Sequence, residues 1–536
     1  MPGEQPLLVQ TDGGPTARWK GISLYPSDNP IEYARRRARV FSPLPRSLVF
    51  VPSVGLGHGL AELLGSLPEG CAVLCVEAHQ EIMRLAMEQG LPRDPRLTVV
   101  RADNVEAVES VLEGLGIGRF RRVTQVSLSG GYRLAAGMYE RCRRRLEERL
   151  RLHWQNRLTL IALGSLQVRN ILSNLPLVAS AGDFSALSTG APVVVAGAGP
   201  SLEGCIPLLA RLRPRYVLIS ADTALPVLAA HGLAPDIVVA LEAQAANLQD
   251  FVAARAPRAL LASDLSSYPV VNRMFPGRLF FFSSCFAPLR IFDRLRESGL
   301  LPVVFPAFGS VGVAAVHAAL AVAASDVYLA GLDFSFPGSA THARGAPSHL
   351  VMLERSTRLR PVGQDAFQAL AARSLIRVTD KNGAAVMTDR VLQSYRDTLA
   401  ARLSGAPGRA FDIGLLGLDL GARRVAAGEM EERIGALSTG AALEVDTGRG
   451  FQADSLGRFV TAEKSILREA STRLRDAART ATIPSDCRNL LEQVDYVWLH
   501  FPDEGELDRP ERSFLARAAI AAAWYADRLD RLGSVL

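Results

Sequence analysis

What most constrains this chain is a repeated alternation of short apolar runs with stretches of helical period. Pro192-Val193-Val194-Val195-Ala196 is an unbroken apolar run, too short for a helix. Similar runs lie at 216–220, 237–241, 259–262, 279–282 and 326–330. An earlier series occupies 48–52, 72–76 and 97–100. Apolar runs of this length separated by helices predict strands buried on both faces of a parallel sheet. The expected fold class is therefore α/β, with doubly wound, Rossmann-like domains.

A chain of 536 residues is too long for one core. Three domains are expected. Residues 1–185 form an N-terminal α/β accessory domain ending in connecting helices, 186–400 a central nucleotide-binding domain, and 401–536 a mainly helical region. Helical periodicity is expected over 31–41, 131–175, 391–403, 461–480, 487–500 and 512–532. The last stretch carries an apolar side through Phe514, Leu515, Ala518, Ile520, Ala522 and Tyr525, and the region from 461 onward is expected to be a separate unit that engages a protein acceptor.

Hydrophobic residues at 48% and charged residues at 21% are those of a globular protein. The net charge of +6 comes mainly from arginine, as in the runs 35–37 and 143–145. No aromatic side chains interleave with these runs, so they read as solvated helix faces and no nucleic-acid partner is expected. The six cysteines show neither zinc spacing nor a pairing pattern, which predicts no metal, no disulfide and a cytoplasmic location. No signal-like segment is read near Met1. The longest apolar run, 311–324, holds His317 and falls short of the roughly 20 residues a bilayer needs, so a buried helix and no membrane partner are expected.

The first strand of the central series leads into Gly197-Ala198-Gly199-Pro200-Ser201 and then a helix. Glycines there let backbone approach a ligand, and free N–H groups at a helix start attract phosphate. The next two strands end in Asp222-Thr223 and in Glu242. Ligands of open parallel sheets bind beyond the carboxyl ends of the strands, where these groups fall. A second cluster, Gly55-Leu56-Gly57-His58-Gly59 with Glu77 ending the next strand, has dinucleotide-like spacing but reads more simply as a shell without a ligand.

The order of these segments carries a resemblance. Val193 to Leu202, then Ser220-Ala221-Asp222-Thr223-Ala224, then Gly232-Leu233-Ala234-Pro235-Asp236, resemble the motility accessory factor (Maf) family of flagellin glycosyltransferases, the DUF115 or MptE-like group. Phe308-Gly309-Ser310-Val311, Gly331-Leu332-Asp333-Phe334 and Thr341-His342-Ala343 match its later blocks, and Tyr25-Pro26-Ser27-Asp28-Asn29-Pro30 resembles its N-terminal signature. The resemblance fades after about residue 400.

The resemblance implies a sialyltransferase-like central domain that moves a nonulosonic acid, of pseudaminic or legionaminic type, from a CMP-activated donor to Ser/Thr of flagellin. It implies that Gly197, Gly199, Pro200 and Ser201 cradle the donor phosphate. Asp222, Thr223, Glu242 and Ser310 line the nucleotide pocket, and Asp333 faces the sugar as a candidate catalytic residue. His342 is the expected catalytic base, with His349 behind it and Arg344 as a further phosphate contact. A donor with one phosphate requires no metal cofactor. Two other functions remain open: a 6-hydroxymethylpterin diphosphokinase, which needs Mg²⁺ on clustered carboxylates such as Asp222, Asp236 and Glu242, and a non-catalytic flagellin-binding accessory factor.

Overall fold

The computed structural model describes residues 5–252, 254, 258–446, 451, 453–480, 486–502 and 510–533. The chain divides into two compact units, 1–160 and 161–536.

The first unit opens with a small antiparallel sheet of β1 (Leu7–Thr11), β2 (Gly14–Trp19) and β3 (Ile22–Ser23). A four-stranded parallel sheet follows, made of β4 (Ser47–Pro52), β5 (Ala72–Glu77), β6 (Leu97–Arg101) and β7 (Arg122–Gln125), in the order β6-β5-β4-β7. The first three are the expected strands. β7 went unread because its sequence, Arg-Val-Thr-Gln, has only one apolar residue. Every residue of β4 and β5 is buried, as their continuous apolar sequence requires.

At the carboxyl end of β5, Glu77 is enclosed by its own unit. It accepts from Ser53 Oγ (2.7 Å), Val54 N (3.0 Å), His79 N (3.0 Å) and Tyr139 Oη (3.2 Å). Burial raises its pKa. Gly59, with φ +81°, has no room for a side chain, because a Cβ there would lie 2.7 Å from Ala34 O. His58 Nε2 lies 2.8 Å from Pro15 O. The acid is thus satisfied within its own unit, and glycine at 59 is required by packing.

The second unit is built on nine parallel strands in the order β19-β18-β15-β10-β11-β12-β13-β14-β8. They are β8 (Gly182–Asp183), β10 (Val193–Ala196), β11 (Val217–Ala221), β12 (Ile237–Ala240), β13 (Leu260–Asp264), β14 (Leu279–Phe282), β15 (Val327–Ala330), β18 (Ala410–Asp412) and β19 (Arg423–Arg424). A short pair, β9 (Leu187–Ser188) with β20 (Glu444–Val445), and the hairpin β16 (Leu375–Thr379) with β17 (Ala385–Asp389) flank the sheet.

Alternation along each strand divides the core in two. Val193, Val195, Val217, Ile219, Val327 and Leu329 face the Val311–Val322 helix. Val194, Ala196, Leu218, Tyr328 and Ala330 face the Leu202–Leu212 helix. The 311–324 run is the buried helix expected of it, with His317 packed between Phe305 and Phe308 and accepting from Arg402 Nε at 3.0 Å.

The structure departs from the expected organisation at both ends of this unit. The Ser165–Val178 helix and β8 go with the second unit, not the first. The sheet runs past residue 400 through β18 and β19, so β15 is an inner strand between β10 and β18 rather than the last one. The helices after 453 also belong to this unit. Phe514, Leu515, Ala518, Ala522 and Tyr525 are buried and only Ile520 of that apolar side is exposed, so the side is filled by the protein's own core. Glu463, itself buried, receives Arg294 Nε and Nη2 at 2.6 and 2.7 Å and ties these helices to the sheet domain.

Candidate active site

β10 pairs with β11 on one side and with β15, far along the chain, on the other. The order in which strands are added therefore reverses at β10/β15, the place where an open parallel sheet leaves a crevice at its carboxyl edge. The loops that meet there are 197–201 and 331–333.

These loops are packed backbone to backbone. Gly197 N donates to Ala330 O and Gly199 N to Gly331 O, both at 2.8 Å. A Cβ on Gly197 would lie 2.5 Å from Gly331 O, and one on Gly199 would lie 2.7 Å from it. The glycines are thus required by the neighbouring loop. Ser201 N donates to Asp333 Oδ2 at 2.7 Å and Ser201 Oγ donates to Oδ1. The Asp333 carboxylate therefore sits at the N-terminus of the Leu202–Leu212 helix, where the resemblance places the donor phosphate. Three of the loop's N–H groups are already satisfied within the protein, and Pro200 has none.

Asp333 is buried, and burial pushes its pKa up to about 6 against the Ser201 hydrogen bonds and Lys381. Lys381 and Asp412 form an ion pair behind it that is almost wholly enclosed. Lys381 Nζ also reaches Gly414 O at 3.3 Å, and Asp412 Oδ1 accepts from Gly414 N at 2.9 Å. A Cβ on Gly414 would stand 3.1 Å from Asp412 Oδ1, 3.3 Å from Ser201 Oγ and 3.5 Å from Lys381 Nζ, so glycine is what lets these polar groups close up. Sequence reading missed Lys381 and Asp412. Lys381 sits in the turn Asp380-Lys381-Asn382-Gly383 of the β16–β17 hairpin, and such a turn gives no sign of what its lysine touches.

A second group of side chains lies at the ends of β11 and β12. Asp222 is buried and accepts from Thr223 N (2.8 Å), Thr223 Oγ1 (3.2 Å) and Asn247 Nδ2 (2.7 Å). The same Nδ2 donates to Asp250 at 3.0 Å. Burial pushes Asp222 up to about 6, and burial with the adjacent Asp222 pushes Asp250 up to about 7. Glu242 adds repulsion to both. Asn247 and Asp250 were not read from the sequence. Asp236 does not join them: it precedes β12, at the other end of the sheet, and binds Arg213 Nη1 and Leu218 N.

His342 stands beside the glycine loop, because the next residue, Ala343, donates its N–H to Ala198 O at 2.8 Å. His342 Nδ1 lies 3.3 Å from Thr341 Oγ1 and 3.2 Å from Ser348 Oγ. Burial and the facing Arg373 lower its pKa, which keeps the imidazole neutral and able to take a proton. Arg373 is paired with Asp389 at 2.7 Å. Asp389 and Glu242 both act on Tyr395, whose ring is the nearest neighbour of Gly309, adjacent to Ser310. Ser310 starts the Val311–Val322 helix.

The structure thus assembles the expected residues into two neighbourhoods. Gly197, Gly199, Pro200, Ser201 and Asp333 form one. Asp222, Thr223 and Glu242 form the other, and Tyr395, Asp389 and Arg373 link it to Ser310 and His342. Arg344 is exposed and bound to Glu203 through Nη2 at 2.6 Å, and His349 Nδ1 accepts from Gly345 N at 3.2 Å. Both serve the loop's own conformation. Among the described residues no three His, Cys, Asp or Glu side chains converge as metal ligands, and no helix is long and apolar enough to cross a membrane.

A family model described as 6-hydroxymethylpterin diphosphokinase MptE-like matches residues 169–339, from the helix before the sheet to the loop that carries Asp333. An uncharacterised protein of Treponema pallidum (strain Nichols) is 27% identical over 562 residues, covering 100% of this chain and 97% of its own. A second uncharacterised protein of that organism is 31% identical over 147 residues, 25% of this chain and 37% of its own. Among solved structures, a Maf glycosyltransferase from Magnetospirillum magneticum AMB-1 matches with a TM-score of 0.58 and 17% identity, over 99% of this chain and 89% of that one. The resemblance read from the motifs is thereby borne out: the central segment matches the MptE-like family model, and the chain has the fold of a Maf glycosyltransferase.

Proposed function

We propose that this protein is a glycosyltransferase that moves a nonulosonic acid, of pseudaminic or legionaminic type, from a CMP-activated donor to Ser/Thr of flagellin in the cytoplasm, in support of flagellum assembly and motility. The observation that carries the reading is the buried Asp333 at the β10/β15 crevice, in a chain with the fold of a Maf glycosyltransferase. Transfer needs a base for the acceptor hydroxyl and stabilisation of the departing phosphate. Asp333, with a pKa near 6, is ionised at neutral pH and can accept a proton from the hydroxyl. His342, held neutral, is the alternative base or the hydrogen-bond donor to the leaving phosphate. Asp222, Thr223, Glu242 and Ser310 form the nucleotide side of the site, and the 197–201 loop presents Asp333 rather than the phosphate.

The match to the MptE-like family model favours a second reading, a diphosphokinase acting with ATP. That chemistry places Mg²⁺ on clustered carboxylates. The residues present do not fit it: Asp222 and Asp250 are bridged by Asn247, and Asp236 lies at the other end of the sheet. Thermal stabilisation of the purified protein by CMP, against ATP with Mg²⁺, separates the two. Stabilisation by CMP together with sugar transfer to flagellin supports the first reading. Stabilisation by ATP with Mg²⁺ alone overturns it, and flagellin capture without either nucleotide marks an accessory factor.

A further inference from the structure

The neighbourhood of Asp222 holds acceptors that the protein leaves without donors. Asp222 follows β11, and the turn Ala245–Asn247 and the short helix Leu248–Val252 follow β12. Both segments therefore stand at the carboxyl edge of the sheet, where ligands of such sheets bind. The Leu248–Val252 helix packs against the turn that begins at Asp222. One atom joins the two segments: Asn247 Nδ2 donates to Asp222 Oδ2 at 2.7 Å and to Asp250 Oδ2 at 3.0 Å. Both amide hydrogens of Asn247 are spent in this way.

What this group keeps in reserve is acceptor capacity. Asn247 is 4% exposed, and its Oδ1 is buried with no hydrogen-bond partner. Asp222 is enclosed and uses its other oxygen, Oδ1, on Thr223 N and Oγ1. Asp250 is half-buried, so its carboxylate can be reached, and its printed bond to Asn247 engages one oxygen, Oδ2. No ion pair among the described residues involves Asp222 or Asp250, and burial accordingly raises both pKa values. Carboxylates without a counter-charge repel a phosphate, so this is not the phosphate end of a nucleotide site. A buried acceptor without a donor costs stability that an N–H group restores. The exocyclic amino group of a nucleobase carries two such hydrogens on one nitrogen and no charge.

We propose that Asn247 Oδ1 and the Asp250 carboxylate select the nucleobase of the donor by accepting from its exocyclic amino group, N4–H₂ of cytosine. The inference rests on the CMP reading given above and deepens it. Uracil presents a carbonyl oxygen at the same position, and an acceptor set against two acceptors is rejected.

The test is calorimetric titration of the full-length protein with CMP, with UMP and with the pyrimidin-2-one analogue of CMP, which lacks the amino group. The wild type is expected to bind CMP at least about ten-fold more tightly than either of the others, as the loss of a buried hydrogen bond requires. The amide of D250N can turn its NH₂ toward uracil O4, so the CMP-to-UMP affinity ratio is expected to fall about ten-fold in that variant, with CMP still bound. Equal affinity of the wild type for CMP and UMP, or for CMP and the analogue, overturns the inference and leaves the CMP reading standing. A D250N ratio equal to that of the wild type overturns it as well. Absence of CMP binding by the wild type overturns both. The comparison of the three nucleotides on the wild type needs no variant, so it decides the proposal if D250N unfolds.

Discussion

The backbone N–H of Ser201 donates to Asp333 Oδ2 at 2.7 Å, across 132 positions of sequence, and the Ser201 hydroxyl takes the other oxygen. A carboxylate from one loop thereby caps the helix begun by another. The same contact closes the crevice wall between β10 and β15 and sets the charge state of the group proposed as base.

That charge state gives a pH dependence with a definite sign. In the unfolded chain Asp333 loses its proton near 3.8, and in the folded protein near 6. Between those values the folded state binds the extra proton, so stability present at pH 4 is lost as the pH rises through 6. The difference corresponds to about 3 kcal/mol for this group alone. Asp222, Asp250 and Asp495, also raised, act in the same direction. The melting temperature is expected to fall between pH 4 and 7, and less steeply in D333N. An equal slope in D333N would show that Asp333 does not titrate in this range.

Lys381 and Asp412 are enclosed together, so removing one leaves the other's charge buried and unpaired. K381M is expected to lose about 3–5 kcal/mol of stability in urea unfolding. K381M/D412L, which removes both charges, is expected to recover most of it. Equal stability of K381M and the wild type would show that the pair is hydrated in solution.

Gly199 has no space for a side chain, since a Cβ would lie 2.7 Å from Gly331 O and 2.8 Å from Asp333 Cγ. G199A is expected to cost about 1–3 kcal/mol, as overpacking does, and to separate the two loops. G199V is expected to cost more, so any loss of CMP binding in it has to be judged against its unfolding curve. G199A with wild-type stability in urea would mean that the loops part freely.

His342 is held by two hydroxyls and faces Arg373 rather than a carboxylate. If it acts as base, H342A should lower transfer by roughly 10²–10⁴-fold with CMP affinity little changed. A rate near that of the wild type assigns the proton to Asp333. A loss of CMP affinity with turnover retained makes His342 a binding residue. Single-turnover transfer and CMP calorimetry on the same preparation distinguish these outcomes.

By itself the sequence determined the central strands of both sheets, because short apolar runs such as Val193–Ala196 can only be satisfied by burial on both faces. It also placed Ser201, Asp222, Glu242 and Asp333 at strand ends, since each follows such a run within five residues. Strands with little apolar sequence, β7, β18 and β19, left no periodic signal. Only the tertiary structure decided that β15 lies beside β10, which packs Gly197 and Gly199 as a seam against Gly331 and brings Asp333 onto Ser201. It alone joined Lys381 to Asp412 and Asn247 to Asp222. The physical reason is that these partners are fixed by strand order and loop packing, which depend on the whole sheet, whereas local pattern specifies only what each segment buries.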